Sequence, residues 1–128
     1  MCDFVSLWQG GPLFAQSEHF RLGTDSVLLA DFVTAERYAK GIDLGCGSGI
    51  LPLLLLVRAE KLRMTGLEIN PDAARFAEAN LRENGLSSRG RIVTGDIRDH
   101  RRLFASGEFD LVVSNPPYFE NALTCPDE

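Results

Sequence analysis

The sequence predicts an α/β fold with a mostly parallel sheet and flanking helices, and two observations carry that prediction. From residue 41 onward, short apolar runs alternate with stretches of helical periodicity in the order strand, helix, strand, helix, strand, connection, strand. The four runs end at Gly45-Cys46-Gly47-Ser48-Gly49, Glu68, Asp96 and Asn115-Pro116-Pro117-Tyr118. A parallel sheet would gather these endings on one edge, where ligands of such sheets bind.

The elements follow in order. Phe4, Val5, Leu7 and Trp8, then Gly10-Gly11-Pro12, then Leu13 and Phe14 read as an N-terminal hairpin. Thr24 or Asp25 can cap a helix running to about Glu36, with Val27, Leu28, Ala30 and Phe32 at near-helical spacing. A strand over Gly41 to Leu44 enters the glycine turn. The apolar helix behind it accepts Pro52 in its first turn and runs to about Lys61. A strand from Met64 to Ile69 precedes Asn70, which caps a helix with Pro71 at its first position until Asn84-Gly85 stops it. Arg91 to Thr94 is the third strand. A polar, arginine-rich connection leads to the fourth, Phe109 to Ser114.

Composition narrows the function classes. The 128 residues are 45% hydrophobic and 24% charged, with a net charge of −5, the profile of one globular domain without internal repeats. At this length roughly two-thirds of the unfolded surface can be buried, so a core needs neither disulfide nor metal. The longest uncharged apolar run, Ile50 to Val57, falls short of the ~18 residues that cross a bilayer, and the expectation is a cytoplasmic chain without membrane contact. Cys2, Cys46 and Cys125 are widely spaced and read as reduced thiols. An acidic total argues against a duplex-wrapping protein. Arg89, Arg91, Arg98, Arg101 and Arg102 nonetheless form a local basic group, read either as a solvated surface or as a nucleic-acid contact.

The strand ends carry the chemistry. Three glycines at alternate positions after Asp43-Leu44 let a ligand press against backbone, with helix amides just beyond to receive an anionic group. A dinucleotide fingerprint G-x-G-x-x-G from Gly45 would need glycine at Ile50, and no P-loop lysine is present. Glu68, at the second strand end, suits the two hydroxyls of a ribose. Asp96 can accept from an adenine amino group, with Ile97 as an apolar wall. Two prolines after the fourth strand leave the carbonyls of Asn115 and Pro116 without ladder partners. The side-chain oxygen of Asn115 and the carbonyl of Pro116 then make two acceptors for an NH2 group, and Tyr118 offers a ring for a flat base. His19 and His100 lie beside none of these motifs.

In this order and spacing, Asp43-Leu44-Gly45-Cys46-Gly47-Ser48-Gly49, Glu68, Asp96 and Asn115-Pro116-Pro117-Tyr118 resemble the Rossmann-like S-adenosylmethionine-dependent methyltransferases. The Asn-Pro-Pro-Tyr form is similar to the branch that methylates amide or exocyclic amino nitrogens. Phe20-Arg21-Leu22-Gly23-Thr24-Asp25-Ser26-Val27-Leu28-Leu29-Ala30 and Ser114 to Phe119 further resemble bacterial tRNA adenine-N6 methyltransferases acting beside the valine-tRNA anticodon.

The resemblance implies S-adenosyl-L-methionine as cofactor and tRNA as partner. Asp43, Gly45, Cys46, Gly47 and Gly49 would hold the methionine part, with Thr24 or Asp25 closing that end. Glu68 with Ile69 would hold the ribose, and Asp96 with Ile97 the adenine. Asn115, Pro116, Pro117 and Tyr118 would form the catalytic motif, which needs no metal and no side-chain base. Relatives of this class continue with three further strands, so the chain is expected to be a C-terminally truncated domain whose fourth strand is a bare edge covered by the missing segment or a second copy. Alternatives are methylation of a protein glutamine or a ribosomal RNA guanine, and a noncatalytic cofactor-binding module. A nicotinamide-dependent dehydrogenase is disfavoured by Ile50.

Overall fold

The computed structural model describes residues 3–15 and 24–115. Strands β1 (Val5–Ser6) and β2 (Leu13–Phe14) pair antiparallel, Val5 against Phe14, as the opening hairpin pattern predicts. Helix α1 (Thr24–Phe32) and a 3-10 turn (Ala35–Arg37) precede a four-stranded parallel sheet. Its strands are β3 (Lys40–Leu44), β4 (Arg63–Glu68), β5 (Gly90–Thr94) and β6 (Leu111–Ser114), in the order β5-β4-β3-β6. Helices α2 (Ile50–Arg58) and α3 (Pro71–Glu83) make the two crossovers. A 3-10 turn (Ile97–Asp99) and the one-turn helix α4 (His100–Leu103) fill the arginine-rich connection.

The core lies between the sheet and the helices. In α2, Leu51, Leu53, Leu55 and Leu56 are all buried, because the helix is sandwiched between α1 and the sheet and has little solvent face. Full burial of each leucine contributes about 2 kcal/mol. They pack with Met64, Leu111 and Val113, which point from the strands to the same side. In β6, Leu111 and Val113 are buried while Val112 and Ser114 are exposed. Among the described residues β6 is one of the sheet's two outer strands, with β5 at the other edge.

Both early helices stop sooner than their periodicity predicts, and each stop is set by an arginine distant in sequence. Helix α1 ends at Phe32, not near Glu36, because the Arg58 guanidinium donates to the carbonyls of Ala30 and Val33. Glu36 instead sits in the 3-10 turn and pairs with Arg58 at 3.4 Å. Helix α2 ends at Arg58, not near Lys61, because Arg89 donates to the carbonyls of Leu56, Ala59 and Leu62. These are the orphan acceptors of a helix end, satisfied here by a charged donor. The fourth strand likewise begins at Leu111 rather than Phe109. Phe109 packs edge-to-face on Phe104, and the Asp110 carboxylate accepts from the amides of Ala39 and Lys40. By contrast α3 begins where expected, with the Asn70 side chain accepting from Asp72 and Ala73 amides ahead of Pro71.

Candidate functional site at the carboxyl edge of the sheet

In-register pairing aligns the four strand ends. Leu44 lies opposite both Leu67 and Ser114, and Glu68 lies opposite Thr94. The ladder continues past the strands, since the Gly95 amide donates to the Glu68 carbonyl at 3.0 Å and the amides of Gly45 and Cys46 both donate to the Leu67 carbonyl. The glycine turn, Glu68, Asp96 and Asn115 therefore meet along one edge.

The glycines of the turn serve different ends. Gly45, Gly47 and Gly49 all adopt positive φ, a region costly to residues with a Cβ. A Cβ on Gly45 would point into open space, so its side of the turn is accessible to a ligand. A Cβ on Gly49 would lie 3.0 Å from the Ala77 Cβ, so there the glycine permits close packing of the turn on α3.

Two carboxylates lie under this turn. Glu68 is 5% exposed; its Oε1 accepts from the Gly47 amide at 2.7 Å and its Oε2 from the Asn70 amide at 3.0 Å. It thus ties the turn to the start of α3, and each oxygen keeps a second lone pair for a further donor. Asp43 is 2% exposed, and its Oδ1 has no hydrogen-bond partner among the described residues. Burial raises its pKa well above the ordinary carboxylate range, and the negative charge of Glu68 adds to the effect. An orphaned buried acceptor is costly and calls for a donor.

The Cys46 side chain is buried, with Sγ packed against Gly66 of β4. Burial, and then the charges of Asp43 and Glu68, push its thiol pKa up, so it is a neutral thiol rather than a nucleophile. Only its backbone borders the turn. Ile69 and Ile97 are exposed apolar residues directly after the two acidic strand ends. Asp96 is engaged by the backbone amide and guanidinium of Arg98, at 2.6 Å to Nη2, and that contact lowers its pKa to about 2.

The Asn115 Nδ2 donates to the Ser26 Oγ at 2.9 Å, which leaves the Asn115 Oδ1 as an acceptor. Through Ser26 the first turn of α1, which also holds Thr24 and the exposed Asp25, is joined to the end of β6. Pro116, Pro117, Tyr118, His19 and the run 20–23 lie outside the described residues.

Sequence reasoning missed Ser26 and Asn80. Asn80 is fully buried in α3; its Oδ1 accepts from the Ala15 amide at 2.7 Å, and its Nδ2 donates to the carbonyls of Ala15 and Ser48. One turn later Asn84 makes the same amide-and-carbonyl pair with Leu13. The two side chains act as a neighbouring strand for β2, and Asn80 also fixes the glycine turn from behind. Their i, i+4 spacing was the available signal.

The basic group disperses. Arg89 caps α2, Arg91 pairs with Glu108 at 3.2 Å, Arg98 with Asp96, and Arg102 with Asp99 at 3.2 Å.

A glycine turn, a buried acid at the second strand end and an Asn-ended strand on one edge of a parallel sheet match the pattern expected of the Rossmann-like methyltransferase class. A family model described as "Methyltransferase small domain" matches residues 13–126, and the chain belongs to that family. It is 38% identical over 112 residues to a tRNA1(Val) (adenine(37)-N6)-methyltransferase of Yersinia enterocolitica, covering 84% of this chain and 43% of that protein. A protein of the same name from Porphyromonas gingivalis is 40% identical over 115 residues, covering 84% and 44%. The chain thus spans less than half the length of these curated relatives. Among solved structures, the mitomycin 7-O-methyltransferase MmcR superposes with a TM-score of 0.61 at 27% identity, over 71% of this chain and 25% of that one. Cofactor-bound Rv0187 from MTB shares the fold with a TM-score of 0.64 at 24% identity, over 79% and 47%. No described helix is long and apolar enough to cross a membrane.

Proposed function

We propose that the chain is the cofactor-binding part of an S-adenosylmethionine-dependent N-methyltransferase acting on the exocyclic amine of adenine in tRNA. The observation that carries it is the orphaned Asp43 carboxylate beneath an open glycine turn, aligned with Glu68, Asp96 and Asn115. These residues fit the cofactor. Asp43 and the turn at Gly45 and Gly47 receive the methionine end, a cationic ammonium supplying the donor that Asp43 lacks. Glu68 receives the ribose hydroxyls on its remaining lone pairs. The exposed faces of Ile69 and Ile97 flank the adenine, and Asp96 accepts from its amino group.

When bound, S-adenosylmethionine supplies an electrophilic methyl group. The Asn115 Oδ1, left as an acceptor by the bond from its Nδ2 to Ser26, would accept one hydrogen of the target amine, and the carbonyl of Pro116 would accept the other. Drawing on both hydrogens favours a pyramidal nitrogen and aims its lone pair, by positioning and electrostatics. Tyr118 stacks on the base. The neutral, buried Cys46 thiol is not a nucleophile, and this residue contributes through its backbone in the turn.

The relatives' printed activity supports adenine as the acceptor. The test is transfer of labelled methyl to unmodified valine tRNA by the full-length protein containing this chain. The expected product is N6-methyladenosine, lost in Asn115→Ala. Label in a release-factor glutamine or in guanine, with none in tRNA adenine, would contradict the assignment.

A further inference from the structure

At the opposite, amino ends of the same strands lies a cleft of about 370 Å³. Lys40 from β3, Arg63 from β4 and Arg91 from β5 line it, together with Ser87, Ser88 and Glu108. With Arg89, the lining residues hold four cations against one acid, in a chain whose net charge is −5. Lys40 and Arg63 are direct partners in the parallel ladder. Like charges placed directly opposite are destabilising, and neither has a carboxylate partner among the described residues. The nearby acids are engaged elsewhere, Glu108 by Arg91 and Asp110 by the amides of Ala39 and Lys40. Arg63 only donates to the Ser88 carbonyl at 3.1 Å, which holds its guanidinium over the serine turn. Both side chains are exposed, so their charges cost little in water and remain free for an anionic group from outside the chain.

We propose that this cleft binds a backbone phosphate of the RNA substrate, with Lys40 and Arg63 as its ligands and the hydroxyls of Ser87 and Ser88 beside them. The proposal rests on the reading of RNA as methyl acceptor. The cleft lies one strand length, roughly 17–20 Å, from the carboxyl edge, a span that a folded RNA bridges while its target base sits at Asn115. Phosphate contacts of this kind fix register without reading sequence.

The test is binding of a valine-tRNA transcript across a tenfold range of salt, with S-adenosylhomocysteine titrated in parallel. Lys40→Gln/Arg63→Gln is expected to weaken RNA binding about tenfold at low salt and to reduce the slope of log K against log salt by about 0.8, the share of one phosphate contact. S-adenosylhomocysteine binding should stay intact, and the charge-conserving Lys40→Arg/Arg63→Lys should keep the wild-type slope. An unchanged slope in the neutral double variant overturns the cleft assignment and leaves the methyltransferase reading standing. A full-length protein containing this chain that binds S-adenosylhomocysteine but no tRNA overturns the cleft together with the RNA acceptor. Loss of both ligands in the wild type overturns the cofactor reading itself. Saturable binding of inorganic phosphate that the double variant loses, with tRNA binding unchanged, would make the cleft a site for free phosphate and overturn the RNA assignment.

Discussion

Strand β3 begins with Lys40, exposed and without an ion pair among the described residues, and three positions later carries Asp43, 2% exposed and unpartnered at Oδ1. The same polarity recurs in its neighbours. Strand β4 runs from Arg63 to Glu68, and Arg91 in β5 leads to Asp96 just beyond it. Bases at the amino ends face water, whereas two of the three acids at the carboxyl ends are buried under the glycine turn. Uncompensated charge is cheap in water and expensive in the core. The orphaned Asp43 therefore depresses stability in the free chain, whereas Glu68 is held by two backbone amides; both buried acids should matter most to a ligand, while the exposed bases should act mainly through long-range attraction.

The sharpest break in that contrast comes from Glu68→Ala. It removes a buried carboxylate that links Gly47 to Asn70, and is expected to weaken S-adenosylhomocysteine about 100-fold. Calorimetry on a variant with wild-type circular dichroism checks it. Equal affinity would place the ribose elsewhere.

Asn80 and Asn84 separate support of the site from support of the fold. Asn80→Ala leaves the Ala15 amide and two carbonyls unpaired, costing about 3 kcal/mol, and loosens the turn through Ser48, so affinity should fall about tenfold. Asn84→Ala costs about 1 kcal/mol and leaves affinity unchanged. Chemical denaturation and titration well below Tm report the two effects separately.

Asp43→Asn should raise stability while lowering affinity. Because burial raises the folded pKa of Asp43 above its unfolded value, the folded chain holds the extra proton between the two. Stability is then greatest below the unfolded pKa and falls as pH rises toward the folded one. The variant should lose that slope and gain about 4 °C in Tm at pH 7, with S-adenosylhomocysteine about tenfold weaker. Thermal melts from pH 4 to 8 would show the slope unchanged if Asp43 were ordinarily ionised.

The smallest effect belongs to the exposed pair. Arg98→Ala frees Asp96, whose pKa should return upward from about 2, a shift readable by NMR titration. Affinity for S-adenosylhomocysteine should tighten by less than about fivefold, and less still at high salt.

Much of this edge was legible because its signals are local. Asn70-Pro71 starts a helix by capping alone, and the glycine turn, Glu68 and Asp96 each follow an apolar run that defines a strand. Helix ends at Phe32 and Arg58 were not legible, since the capping guanidiniums of Arg58 and Arg89 come from 25 to 33 residues away. The arginine group is split by the fold: Arg98 and Arg102 pair with acids two and three residues away, whereas Arg89 and Arg91 reach partners 33 and 17 residues away and line the basic cleft. The basic cleft instead joins Lys40 to Arg63 across a ladder, a pairing that periodicity cannot show. The base-first, acid-last order of three successive strands was visible in the sequence but acquires meaning only once the strands are known to be parallel and adjacent.

The most direct measurement is calorimetric titration of the chain with S-adenosylhomocysteine, with NADH as the control nucleotide. Saturable one-site binding of S-adenosylhomocysteine and no heat from NADH is the predicted result. A folded chain that takes up NADH, or neither ligand, would contradict the assignment of the carboxyl edge as a methyl-donor site.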